Sequence, residues 1–293
     1  MSKTATFLAG VLLALILSIQ AVAQDEEPVL LIYDREIRKM VIGSDSPIFA
    51  YYPDGELIFW KSAGRREGQY KSVNLSGNPL EDILLGKITA LENSEEYYGL
   101  TDMFHARTME FHVSLNGLRK SIQVYGYREI TKSVAAAAPE PKKPLKETCV
   151  TTLKIEEGKI TRGEKKCGIP VELPQIRQSP TPTEFTELIR FLRDTDWGQA
   201  QDWQPAYLEV MVWPYEYAPE QSIVWHKEWP DLDSETTFQR GEGSFTICLP
   251  IRFEEQFLDF LGGRKTKGAV LINGKKMAIS YRIPFPNEFW WRD

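Results

Sequence analysis

From Thr108 to Leu115 the chain alternates with period two. Met109, Phe111, Val113 and Leu115 interleave with Glu110, His112 and Ser114. This spacing predicts a strand with one apolar face and one polar face. Asn116-Gly117 follows, the pair that best tolerates positive φ at both centres of a tight hairpin turn. Leu118, Ile122 and Val124 then resume the apolar face. The design returns near the end of the chain: Ala269 to Ile272, Asn273-Gly274, then Met277, Ile279, Tyr281 and Ile283.

Helical spacing precedes each hairpin. Asn78-Pro79-Leu80-Glu81 offers an N-cap, a proline at the first helical position and an acid three residues after the cap. Leu80, Leu84, Ile88 and Leu91 then share a stripe. Thr181-Pro182-Thr183-Glu184 reads as a capping box. Phe185, Leu188, Ile189 and Leu192 after it lie at i, i+3, i+4 and i+7. A shorter helix is expected from Pro250, with Phe253, Phe257 and Leu261 on one side and Gly262-Gly263 ending it. The fold class is therefore α+β: two small halves, each with antiparallel strands, an amphipathic helix and an Asn-Gly hairpin.

Further strands are expected at Val29 to Tyr33, at Ile37 to Ile42, on both sides of the Pro53-Asp54-Gly55 turn, at Tyr70 to Leu75, at Ala206 to Trp213 and at Ser244 to Leu249. Residues 133–180 break the pattern. They open on VAAAAPEPKKP, which has little to bury and reads as a linker. The expected division is a signal peptide at 1–23, an N-terminal half at 24–132, a linker or insertion at 133–180 and a C-terminal half at 181–293.

The N-terminus changes the compartment. Lys3, the apolar run Phe7 to Leu17 and Ala21-Val22-Ala23 have the order of a secretory signal with cleavage after Ala23. An uncleaved anchor is the other reading. With the signal removed, no stretch is expected to span a membrane, and the protein is secreted or periplasmic. The formal charge of −6 argues against nucleic acid, which calls for clustered Lys and Arg.

Export makes disulfides possible. Cys149 and Cys167 flank a predicted hairpin turning at Glu157-Gly158, and a bridge between them would tie its ends. Two free thiols are the alternative. Cys248, in the apolar run SFTICLP, reads as an inert core thiol.

No nucleophile elbow, phosphate-binding loop or dinucleotide fingerprint is present. His105, His112 and His226 lack metal-ligand spacing, and His112 falls on the polar face of its strand, where solvent is expected. No cofactor is indicated. Acid pairs such as Glu26-Glu27, Glu95-Glu96, Asp231/Asp233 and Glu254-Glu255 suit solvated faces or, in a cleft, glycan hydrolysis. The one local enrichment is aromatic: Trp213, Tyr215, Tyr217, Trp225 and Trp229 crowd a Pro-broken region. Exposed rings there would bind a protein or glycan partner of the cell envelope; buried rings would be core. The expected function is a secreted or periplasmic, non-catalytic binding or accessory protein. The alternative is a secreted hydrolase that acts on glycan through paired carboxylates.

Overall fold

The computed structural model describes residues 26–35, 45–62, 68–100, 106–127, 148–156, 159–168 and 183–288. Its architecture is α+β, with two mixed sheets and a few helices. The chain first supplies β1 (Leu30–Arg35), β2 (Pro47–Tyr51), β3 (Glu56–Ser62), β4 (Gly68–Asn74), α1 (Pro79–Thr89), β5 (Tyr97–Gly99), β6 (Thr108–Leu115) and β7 (Leu118–Tyr125). After a hairpin of β8 (Thr148–Glu156) and β9 (Lys159–Gly168) come α2 (Thr183–Asp194) and β10 (Gln201–Asp202). The last part contributes β11 (Tyr207–Pro214), β12 (Glu220–Val224), β13 (Thr237–Gly241), β14 (Ser244–Pro250), α3 (Glu254–Gly262), β15 (Gly268–Ile272) and β16 (Lys275–Arg282).

Eight strands form the first sheet, in the order β10-β4-β3-β2-β1-β6-β7-β5. Its inner face carries Leu30, Ile32, Phe49, Leu57, Phe59, Phe111, Val113 and Ile122. Leu84 and Ile88 of α1 and Phe185, Leu188 and Leu192 of α2 close over it. Each such side chain contributes roughly 1.5–3 kcal/mol by leaving water. Asn78 caps α1 by accepting from the Leu80 amide at 3.0 Å. Glu81 accepts from the Gly77 amide at 3.1 Å and from the Tyr51 hydroxyl at 2.6 Å, so the cap also fixes the helix to β2.

Packing groups the chain differently from its sequence pattern at one point. α2 lies within the segment 181–293, but it completes the core of the first sheet, and β10 pairs with β4 at that sheet's edge. Two amphipathic helices are needed because one 11-residue helix cannot cover the inner face of an eight-stranded sheet. The strand expected at 37–42 and the cap at Thr181 lie outside the described residues.

The second sheet has six strands, β12-β15-β16-β11-β14-β13. Leu208, Val210, Val212, Ile247, Leu249, Val270 and Ile272 face α3 through Phe257. At the tip of β15–β16, Ile272 pairs with Lys275 around Asn273 (φ 49) and Gly274 (φ 75). At the tip of β6–β7, Leu115 pairs with Leu118 around Asn116 (φ 52) and Gly117 (φ 81). Both are two-residue turns with left-handed centres, which asparagine and glycine tolerate.

The outer face of the first sheet departs from the alternation. Glu110 and His112, expected in solvent, are 5 % and 2 % exposed. The reason is the chain's last segment. Ile283 and Phe285 pack with Leu31, Tyr33, Tyr52, Ile58 and Tyr70 on that face. β6 is therefore covered on both sides.

Candidate functional site

The C-terminal turn of α2 and the residues after it face side chains of β1, β2, β3 and β6. A cavity of about 520 Å³ lies between them. Its floor is made of buried side chains of the first core with the partly buried Ile189: Ile32, Phe49, Phe59 and Met109 from the strands, and Ile189, Leu192 and Trp197 from the helix and its exit. Trp197 is fixed in this wall by donating from Nε1 to the Leu192 carbonyl at 3.1 Å. Phe59 and Phe191 hold its ring at 6.2 and 5.6 Å. Gly198, at φ 63, turns the chain immediately after it, with its amide bonded to Asp196 Oδ1 at 3.1 Å.

The rim is ionic. The guanidinium of Arg107 forms a two-pronged pair with the Asp34 carboxylate. Arg193 donates to Asp194 at 2.6 Å, and this bond holds the Asp194 carboxyl below the usual range. Lys61 and Asp196 complete the charged lining. Cavities of roughly 300–1,000 Å³ with apolar walls and a few polar groups are the usual form of small-molecule sites. The arrangement can enclose an apolar body and leave a polar end among the rim charges. None of the five aromatic candidates lines it.

The five aromatic residues separate. Trp225 and Trp229 are 7 % and 4 % exposed and belong to the second core. Their rings meet at 4.9 Å, and both pack on Phe257 and Phe260 of α3. Trp225 Nε1 donates to the Pro230 carbonyl at 2.9 Å. These two rings are packed in the second core, and the segment after β12 covers the sheet beside α3. Trp213 and Tyr215 are half-buried, and Tyr217 is 92 % exposed.

The remaining candidates have structural partners. Asp231 and Asp233 both accept from Asn273 Nδ2, at 3.2 and 2.7 Å. They brace the β15–β16 turn. The Asp231 carboxyl is held low, first by the Asp233 backbone amide and then by Ser234 and Asn273. Glu254 is pushed up by burial. Cys248 is a free thiol whose pKa is raised to about 11 by burial and by the nearby Glu209 carboxylate, so it is a poor nucleophile at neutral pH. His226 is exposed and lies 4.5 Å from the Trp229 ring; His105 lies outside the described residues. Among the described residues no His/Cys/Asp/Glu group has the arrangement of a metal site, and no helix is long and apolar enough to cross a membrane.

Sequence reasoning missed the cavity. Its walls come from β1–β3, β6 and α2, which are far apart in the chain. The available signal was the cluster Arg193-Asp194-Thr195-Asp196-Trp197-Gly198 at a helix end, where an apolar ring sits among charges. Comparison with protein-family models, curated proteins and solved structures finds no match.

Proposed function

We propose that the protein is exported and acts by binding a small amphiphilic molecule without transforming it. The cavity between the first sheet and α2 is the observation that carries this reading. Aromatic and aliphatic walls favour an acyl or aromatic body, and the Asp34–Arg107 and Arg193–Asp194 pairs favour a polar end at the rim. The test is titration of the mature protein with decanoate and with anilinonaphthalene sulfonate, read by tryptophan fluorescence. Saturable binding is expected. Ala200→Trp, which fills the cavity from its wall, should abolish it and leave the melting temperature nearly unchanged. Undiminished binding by that variant would remove the cavity from the proposal.

Two sequence features support an extracytoplasmic setting. The N-terminal 23 residues have the order of a cleaved signal, and a mature N-terminus other than Gln24, found by sequencing exported protein, would count against it. The β8–β9 ladder sets Cys149 opposite Cys167. Directly opposed antiparallel residues have Cα atoms about 4.5–5.5 Å apart, within the range of about 4.4–6.8 Å that a disulfide requires. An isolated two-stranded hairpin is marginal in water, so a bridge would have a clear role. Peptide mapping without reductant should recover the two cysteines linked. A protein or glycan partner of the envelope would find Trp213, Tyr215 and Tyr217 on the second sheet's side of the molecule. Tyr217→Ala should then weaken capture of that partner and leave decanoate binding intact.

A further inference from the structure

We propose that Arg282 is a clasp that fastens the C-terminal segment as a strap over the first sheet, and that releasing it opens that face while both cores stay folded. Arg282 ends β16 and is 2 % exposed. Its guanidinium serves three separate parts of the chain. Nε donates to Glu209 of β11 at 2.6 Å, Nη1 donates to the Asp45 carbonyl at 3.1 Å, and Nη2 pairs with Glu288. Glu209 belongs to the second sheet, Asp45 leads into the first, and Glu288 lies in the strap.

The strap is held mainly at polar points. Glu288 also accepts from the Phe285 amide at 3.1 Å and faces the Tyr33 hydroxyl at 3.5 Å. The Ile283 amide donates to Ser46 Oγ at 2.7 Å, and the Tyr52 hydroxyl donates to the Pro286 carbonyl at 2.9 Å. Its main apolar anchor is Phe285, whose ring lies 5.2 Å from Tyr70 and 5.0 Å from Trp203. Beneath it, Arg35 joins Glu110 at 2.7 Å and approaches the Asp45 carboxylate at 3.5 Å. The two large cores lie elsewhere, under α1 and α2 and under α3.

Buried ion pairs add little against an apolar alternative, but removing one partner strands the other in a poorly solvated place. A guanidinium shared by two carboxylates is therefore a point where a single change releases several contacts. The segment it releases covers tyrosines and aliphatic side chains of the outer face. Opening would expose a new apolar surface without dismantling either helix-covered core.

Hydrogen exchange read by mass spectrometry on the mature chain tests this, with dye binding as a second measure. In Arg282→Met, peptides from 283–288 should exchange at least tenfold faster than in the wild type, while those from 30–35 and 47–52, whose amides stay in the sheet ladder, should keep their protection. Peptides from α3 and β14 should keep their protection, and anilinonaphthalene sulfonate fluorescence should rise. Unchanged exchange at 283–288 would overturn the proposal, as would equal loss of protection in both sheets. Glu288→Gln keeps the guanidinium and Glu209 and covers the case in which Arg282→Met does not fold. It should show the same local pattern at smaller amplitude, and exchange spread evenly over the molecule would again overturn the clasp.

Discussion

The two sheets solve the same covering problem to different extents. The first is covered twice, by α1 and α2 on one face and by the strap on the other. From Thr108 to Val113, β6 is buried at every position. The second sheet is covered fully on one face, by α3 with Trp225 and Trp229. On its other face Met211, Ala269 and Arg282 are buried, Trp213, Ala278, Ser280 and Leu271 are half-buried, and Phe238 is 58 % exposed. The second sheet keeps some open positions on that face, although β11 buries Val210, Met211 and Val212 in succession. A doubly covered sheet must bury polar positions and match them with partners brought from elsewhere in the chain.

The sharpest way to break this contrast is to remove one ring from each sheet. Phe111→Ala, at a fully buried position of β6, should destabilise the protein by about 3–5 kcal/mol in chemical denaturation. Phe238→Ser on the exposed face should stay within about 0.5 kcal/mol. A comparable cost at Phe238 would mean that the second sheet is covered on both faces as well.

The two Asn-Gly turns sharpen the comparison at a smaller scale. A Cβ added at Gly117 or Gly274 meets no atom within 4 Å, so the cost of valine comes from positive φ alone. Both substitutions should therefore cost on the order of 1–2 kcal/mol, and thermal melts should show similar shifts. Unequal shifts would show that one turn relaxes its backbone.

The smallest effect concerns the brace found at only one of these turns. Asn273→Gly removes the amide that Asp231 and Asp233 share and keeps the positive φ tolerated. The site is solvent-exposed, so the loss at neutral pH should be below about 1 kcal/mol. The Asp231 carboxyl is held below its ordinary value in the folded protein. Its contribution is present above the ordinary carboxylate range and is lost as pH falls through the lowered value. The stability difference between Asn273→Gly and wild type should shrink over that descent. A difference independent of pH would assign the effect to the turn backbone.

This contrast also explains what could be read from the sequence. The α+β class was legible because it rests on local signals, such as the helical stripe Leu80, Leu84, Ile88 and the alternation at Met277 and Ile279. The burial of Glu110 and His112 was not legible. The strap that covers their face comes from residues 283–288, and Glu110 has its ion-pair partner at Arg35. Trp225 and Trp229 were ambiguous for a different reason: composition gives ring density, whereas exposure depends on where α3 docks. The cavity was hidden because α2 packs with the earlier sheet.

The Glu26 carbonyl, just before β1, accepts from Asn287 Nδ2 of the strap at 3.3 Å. That contact imposes an order in time on a chain made from the N-terminus. β1 through β7 can pair soon after they are synthesised, but the outer face of their sheet stays uncovered until residues 283–288 have been made. Throughout that interval Tyr33, Tyr52 and Ile58 are open to whatever binds nascent chains. Covering the outer face of the first sheet awaits residues that follow every strand of both sheets.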